Sequence, residues 1–168
     1  TGLMEGLRGK DVLSLPEQLL TALERHMRTD ESSELILKIR QGIKEAIDEV
    51  LKIVSDVDRE KGERLNYIQI LGEINQPKAV PTLLNMLRSR SSSPAIRQAC
   101  LQALMSYDVE DIGEKILDYY PDILRADPSV KLAALNLLAS RVEWTRSLMI
   151  GIESSRIIRA DDIPVQMV

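Results

Sequence analysis

The chain has 168 residues, of which 44% are hydrophobic, yet it contains no Phe, one Trp and four Tyr. Its core must therefore be built from aliphatic side chains, a composition that favours an all-α fold over a β-rich one. Its 22 basic and 26 acidic side chains give a formal net charge of −4, which argues against a general nucleic-acid binder because such a protein needs a positive surface.

Cys100 is the only cysteine, so this sequence offers neither an intramolecular disulfide nor a cysteine cluster for zinc or iron–sulfur. No Cys-x-x-Cys-His haem-attachment motif is present. No apolar run approaches the ~18–20 residues of a membrane span, and the first residues lack the layout of a signal peptide. The sequence therefore predicts no cofactor, no metal site and no direct membrane insertion.

The first predicted helix follows residues 1–13, which show no hydrophobic period and contain three glycines, so we expect an N-terminal arm there. Ser14 precedes a proline by two residues and a glutamate by three, which is typical of a helix start. Leucines at helical spacing continue this helix to about Arg28. The only histidine, His26, has no neighbours suited to a metal or acid–base site and is expected at the surface.

Apolar side chains recur with a period near 3.5 from Ser32 to Val57, which taken alone indicates one coiled-coil helix. The same pattern returns later in the chain, however, and favours a hairpin interrupted at Gly42. Steps of 33, 33 and 32 residues relate two sets of positions: Ala46, Ala79, Ile112 and Trp144, and Leu51, Leu84, Leu117 and Met149.

The helices that precede these elements repeat as well. Equivalent positions are Ile68, Leu101 and Leu135, and near the helix starts Arg64, Arg97 and Lys131. Each unit of 32–34 residues is thus predicted to hold a first helix, a short turn and a second helix, so that every hairpin stacks on its neighbours. This layout resembles HEAT and armadillo-like arrays, which implies a right-handed α-α superhelix.

Four hairpins are expected within one repeat domain over residues 14–168, at about 31–58, 62–90, 94–125 and 128–156. A further helix is predicted to begin at Asp161 and to stop mid-pattern at Val168. Because arrays usually end in a polar capping repeat, we expect the chain to be a fragment of a larger protein.

Several segments carry a closer resemblance. Arg64-Leu65, the run Ile70 to Glu73 and the run Pro77 to Leu84 look like a HEAT unit, and Ala103 to Asp108 and Ile158 to Pro164 follow in the same pattern. Together they are similar to the helical region of planctomycete-type, membrane-associated dehydrogenase-like proteins, in which a β-propeller precedes the repeats and a cytochrome c module follows. The resemblance implies a linking or docking role and an extracytoplasmic parent protein, since neither propeller strands nor a haem motif are found in this sequence.

Charged side chains mark the candidate site. If second helices line the concave side, as in HEAT-like arrays, that side alternates in sign, which suits a protein or peptide better than a phosphate backbone. Paired carboxylates on one helix face can also bind a cation or act as acid and base, but a solvated face is the ordinary interpretation. The candidate interaction residues are Glu45, Asp48, Glu49, Arg88, Glu114, Asp118 and Tyr119.

Three other residues are expected to be core. Tyr120 and Trp144 occupy repeat-core positions, and Cys100 lies on an apolar helix face, which predicts an inert thiol rather than a nucleophile.

The favoured function is a non-catalytic scaffold that contacts proteins or neighbouring domains of the same polypeptide, with no small-molecule substrate and no nucleic acid. The alternative is a HEAT-like nucleic-acid-binding or DNA-glycosylase-type domain, which would need a basic groove with exposed aromatic side chains and a carboxylate. A third possibility, a HEAT-like lyase or ligand-carrying array, lacks a cofactor-attachment residue.

Overall fold

The computed structural model describes residues 32–154 and 157–163. Every regular element in these residues is helical, as the composition predicts, and the chain divides into two compact units, Thr1–Ile43 and Lys44–Val168. The predicted arm and the helix carrying His26 lie outside the described residues.

The described part of the first unit is a helix, α1 (residues 32–40), closed by a glycine cap. Gly42 has φ +76°, in the left-handed region that glycine adopts without a Cβ penalty. Its N–H donates to the Ile39 carbonyl at 2.9 Å, and the Ile43 N–H donates to the Lys38 carbonyl at 3.1 Å. This is the Schellman pattern of a helix C-terminus, so the interruption predicted at Gly42 is present.

The α-helices in the described part of the second compact unit are numbered in chain order after α1. The second helices of successive repeat units are α2 (Lys44–Ser55), α4 (Val80–Arg88), α6 (Asp111–Tyr119) and α8 (Val142–Glu153). The first helices are α3 (Lys61–Ile74), α5 (Pro94–Leu104) and α7 (Pro128–Ala139). Short turns of other helical types are the 3₁₀ turns Pro77–Ala79 and Ala160–Asp162 and the π turn Tyr120–Leu124.

Local capping sets where the first helices begin. Ser93 Oγ accepts a 3.4 Å hydrogen bond from the Ile96 amide, and Asp127 Oδ1 accepts one of 3.2 Å from the Val130 amide. Each cap is followed by a proline, whose missing N–H costs nothing in the first turn. α3 begins without proline, and the Glu60 carboxylate accepts from two amides of its first turn, each at 3.2 Å.

The end of α6 changes its hydrogen-bond pattern at a proline. Pro121 has no N–H to continue the α-helical pattern, and the Arg125 amide instead donates to the Tyr120 carbonyl at 3.0 Å. The helical pattern predicted up to residue 125 is therefore present, but its last turn is wider than an α-helix.

The helices of the second unit form two packed layers. α3, α5 and α7 lie side by side in one layer, and α6 packs on α8 in the other. The layers are joined by α4 packing on α5 of the next hairpin and by the hairpin partners α7 and α8. Gly72 of α3 permits a close approach of α3 and α5, because a Cβ placed there would lie 2.9 Å from the Ala103 Cα of α5. Fully buried aliphatic side chains fill the space between the layers, among them Ile68, Leu71, Leu83, Leu87, Leu101, Leu104, Ile116, Leu137 and Leu138.

Two arginines at equivalent repeat positions each tie a repeat unit to the one before it. Arg64 Nε donates to the Val54 carbonyl at the end of α2, and Arg97 Nη2 donates to the Ser89 carbonyl that follows α4, both at 2.9 Å. A guanidinium at a helix C-terminus donates to a carbonyl that has no partner within its helix. Its positive charge also interacts favourably with the negative end of the helix dipole. Lys131, at the third equivalent position, instead contacts Asp162 at 3.5 Å.

Most of the helix predicted to begin at Asp161 lies outside the described residues. The structure forms a 3₁₀ turn over Ala160–Asp162, and the last five residues lie outside the described part of the chain. Asp162 is buried, and its carboxylate accepts from the amide of Arg159 at 3.1 Å and from Arg125 Nε at 2.9 Å. The carboxylate is thus held by side chains of the preceding unit, which fixes this turn against α7.

Candidate interaction surface on the second helices

We call the exposed side chains of α2, α4, α6 and α8, together with Lys78 of the preceding 3₁₀ turn, the second-helix surface. Its members share a side of the repeat because they occupy related positions in successive units. The predicted residues Glu45, Glu49, Arg88, Glu114 and Asp118 are all exposed, whereas Asp48 and Tyr119 are half-buried.

An ion pair joins the first two second helices. Lys78 Nζ contacts the Asp48 carboxylate across the boundary between units. The hydrogen bond from Lys78 lowers the pKa of Asp48. Because both side chains remain about half exposed, this pair orders the surface more than it stabilises the fold.

Arg88 and Tyr119 form the next contact across a unit boundary. The Arg88 guanidinium carbon lies 5.3 Å from the centroid of the Tyr119 ring, within the range of a cation–π interaction. Of the candidate residues predicted from sequence, these two are brought together directly. An exposed cation supported by a half-buried aromatic ring is a suitable anchor for a partner, since aromatic and arginine side chains dominate the energetics of interfaces.

The acidic side of the surface lies on α6. Glu114 and Asp118 are separated by one turn and share an exposed face, with Asp111 one turn before them. Among the described residues, no group of three His, Cys, Asp or Glu side chains is placed to hold a metal ion. Neither Glu114 nor Asp118 makes an ion pair within the described chain, so their charges are presented to solvent.

Sequence reasoning identified the charged positions but not two of the contacts. It did not predict the contact between Lys78 and Asp48. It also missed Arg125, whose guanidinium contacts Asp162 and the Ile157 carbonyl and lies 5.5 Å from the Tyr120 ring centroid. The separation of 37 residues between Arg125 and Asp162 is longer than the 32–34-residue repeat, so the periodicity gave no signal for this contact.

The residues predicted to be core are core. Cys100 and Tyr120 are fully buried, and Trp144 is 1% exposed and donates from Nε1 to the Val109 carbonyl at 3.2 Å. Burial raises the pKa of the Cys100 thiol to about 12, which suppresses the reactive thiolate. Burial, together with the neighbouring Asp162 carboxylate, also raises the pKa of Tyr120.

Two helical layers built from hairpins that repeat about every 33 residues define an all-α helical-repeat protein. The family model for HEAT repeats matches residues 47–139, just over half of the chain, and the chain belongs to that family. A comparison with curated proteins found no match, and neither did a comparison with solved structures. In the described residues, no helix is long and apolar enough to cross a membrane.

Proposed function

We propose that this HEAT-repeat domain is a non-catalytic scaffold that binds a protein partner through its second-helix surface. HEAT repeats typically mediate protein interactions, which supports the general role. The observation that carries the proposal for this chain is the exposed Arg88 guanidinium set against the Tyr119 ring, between acidic groups of α2 and α6.

The charge pattern favours a protein partner over a nucleic acid. Moving along the second helices, the surface is acidic at Glu45 and Glu49, basic at Lys78 and Arg88, and acidic again on α6. A phosphate backbone needs a continuous positive path, whereas a folded protein or a peptide of mixed charge can match both signs. An electrophoretic mobility assay at low salt tests the alternative: we expect no shift of DNA, and a shift that weakens with salt would support the nucleic-acid function instead.

Site-specific photo-crosslinking in the native host tests the proposed surface. A photoreactive amino acid is placed at Asn85, exposed on α4 beside Arg88, or at Gln102, exposed on the first helix α5. We expect a discrete protein adduct from Asn85 and none from Gln102. Equal adducts from both positions, or none from either, would contradict a partner bound to the second helices.

A charge substitution then tests whether Arg88 holds that partner. Arg88→Glu removes the cation from the surface, and Lys61→Glu makes the same charge change on the first helix α3. We expect the Asn85 adduct to disappear with Arg88→Glu and to persist with Lys61→Glu, while circular dichroism shows equal helix content in both variants. Persistence of the adduct in both variants would show that Arg88 is not an anchor.

We also propose a finer context, in which residues 14–168 form one repeat domain, after an arm at 1–13, that links other domains of a redox-related, extracytoplasmic bacterial protein. Its support is the resemblance carried by segments such as Pro77 to Leu84 and Ile158 to Pro164. The native gene tests it directly: propeller strands before this segment and a Cys-x-x-Cys-His motif after it are expected. A gene encoding neither would refute this context and leave the scaffold proposal standing.

A further inference from the structure

An apolar stripe runs along the solvent side of α8, opposite its buried residues. Val142 is 84% exposed, and Met149 and Ile150 are each 52% exposed. With Arg146 and Glu153 they occupy one helix face about 100° wide, since these positions recur at helical spacing. The opposite face of α8 carries the buried Trp144, Ser147 and Gly151. A face of this kind in water marks an interaction surface.

The repeat shows that stacking of a further hairpin would not cover Ile150. Its equivalents on the earlier second helices are Lys52, Asn85 and Asp118, and all three are exposed although another hairpin follows each of them. These equivalents are polar, as a solvent-facing position requires, and the change to Ile is confined to α8. Met149 differs, because its equivalents Leu51, Leu84 and Leu117 are half-buried or buried, so a further hairpin would contact that position. An occupant of Ile150 therefore approaches from the side on which the second helices are open.

We infer that the α8 stripe pairs antiparallel with the α8 stripe of a second copy of this chain. A two-fold axis between Met149 and Ile150 places each of these side chains against the other residue of the partner copy. The same axis sets Arg146 opposite Glu153 of the second copy and Glu153 opposite its Arg146. The stripe is thus self-complementary in both apolar and charged positions, as an isologous interface must be. This pairing uses residues of α8, whereas the partner proposed above is anchored by Arg88 of α4 and Tyr119 of α6.

The mass of the intact chain in solution tests the pairing. Sedimentation equilibrium over a range of micromolar concentrations is expected to show a reversible monomer–dimer equilibrium. Met149→Lys is expected to raise the dimer dissociation constant by about tenfold or more, because it places a charge at the centre of the apolar contact. Val57→Lys is the matched control, since Val57 is 55% exposed but lies in the turn after α2. It should leave the dissociation constant unchanged.

Charge exchange tests the orientation of the two helices. Arg146→Glu places two pairs of carboxylates opposite each other and should weaken the dimer, as should Glu153→Arg by pairing guanidinium groups. The double variant Arg146→Glu with Glu153→Arg restores opposite charges and should recover the wild-type dissociation constant. A chain that stays monomeric at all concentrations overturns the inference, and a double variant that remains as weak as the single ones overturns the antiparallel register.

Discussion

The Tyr107 hydroxyl donates a 2.6 Å hydrogen bond to the Leu71 carbonyl, so that the residues following α5 are fastened to the helix α3 of the preceding unit. Tyr107 is fully buried, and burial raises its pKa to about 12, which keeps the hydroxyl protonated at any ordinary pH. This hydrogen bond therefore connects two repeat units at any ordinary pH.

Removing that link should destabilise the domain by a modest, measurable amount. Tyr107→Phe keeps the ring but loses the donor, and we expect the free energy of unfolding to fall by about 1 kcal/mol. Urea denaturation followed by circular dichroism measures the change. Tyr119→Phe serves as the control, because Tyr119 is only half-buried, and it should cost less. Equal losses in the two variants would show that the link to Leu71 adds nothing.

The close approach of α3 to α5 predicts that Gly72→Ala is destabilising despite the better helix propensity of alanine. The added methyl would meet the Ala103 Cα at 2.9 Å, and backbone cannot move aside as a flexible side chain does. We expect a loss of about 1–3 kcal/mol in the free energy of unfolding. Gln69→Ala, exposed on the same helix, should stay within about 0.5 kcal/mol of wild type. A stabilising Gly72→Ala would contradict the described packing of the two helices.

The carboxylate of Asp162 predicts a dependence of stability on pH. Burial alone would raise its pKa, but the Arg159 amide, Arg125 and Lys131 outweigh burial and lower the pKa below its usual 3.8. The ionised form is therefore favoured by folding, so its contribution is complete above pH 3.8 and is lost as the pH falls through the lower native value.

Asp162→Asn isolates that contribution. We expect the free energy of unfolding of the variant to be about 2 kcal/mol lower than that of wild type at pH 7, since charge-assisted hydrogen bonds are lost. The difference from wild type should shrink as the pH is lowered below 3.8. Asp118→Asn is the matched control, because Asp118 is exposed. A difference between wild type and Asp162→Asn that stays constant down to pH 2 would refute the ionic role of Asp162.

The thiol of Cys100 should be nearly inert while the domain is folded. With a pKa of about 12 and no exposed surface, it holds far less thiolate at pH 8 than a free cysteine. We expect alkylation by iodoacetamide to be slower than that of a free cysteine by about 10³-fold or more, and to become fast in denaturing urea. Rapid labelling without denaturant would show that α5 opens locally or that the thiol is not buried.

The sequence predicted the helices that have strong local signals. The hairpins predicted to begin at about residues 94 and 128 do begin there, at the starts of α5 and α7, and the 33-residue pattern located the second helices. Hydrophobic periodicity does not show which carbonyl each amide bonds to, and for that reason the π turn at Pro121 was not predicted. The cap at Glu60 was also missed, because a glutamate among other polar residues gives no distinctive signal.

The charges of the residues in the candidate site could be predicted from the sequence, but the contacts between those residues could not. Alternation of charge between the second helices followed from the residues alone. The contacts of Lys78 with Asp48 and of Arg88 with Tyr119 depend on the offset between neighbouring hairpins, and a periodic sequence does not contain that offset. The contact of Asp162 with Arg125 was not predicted for a similar reason, since the two residues are distant in sequence.

Arg64 and Arg97 give successive repeat units of this array the same kind of joint, in which a guanidinium donates to a carbonyl at the end of the preceding second helix. The two donors are equivalent but the acceptors are not, because the equivalent of Val54 is Leu87 and Ser89 lies two residues further on. Deletion of residues 60–92 would place Ser93 at the position of Glu60 and Arg97 at the position of Arg64, so the shortened chain would keep a capping residue and a guanidinium beside the end of α2. We therefore expect the array to accept a change of length by one full repeat period more readily than by half a period.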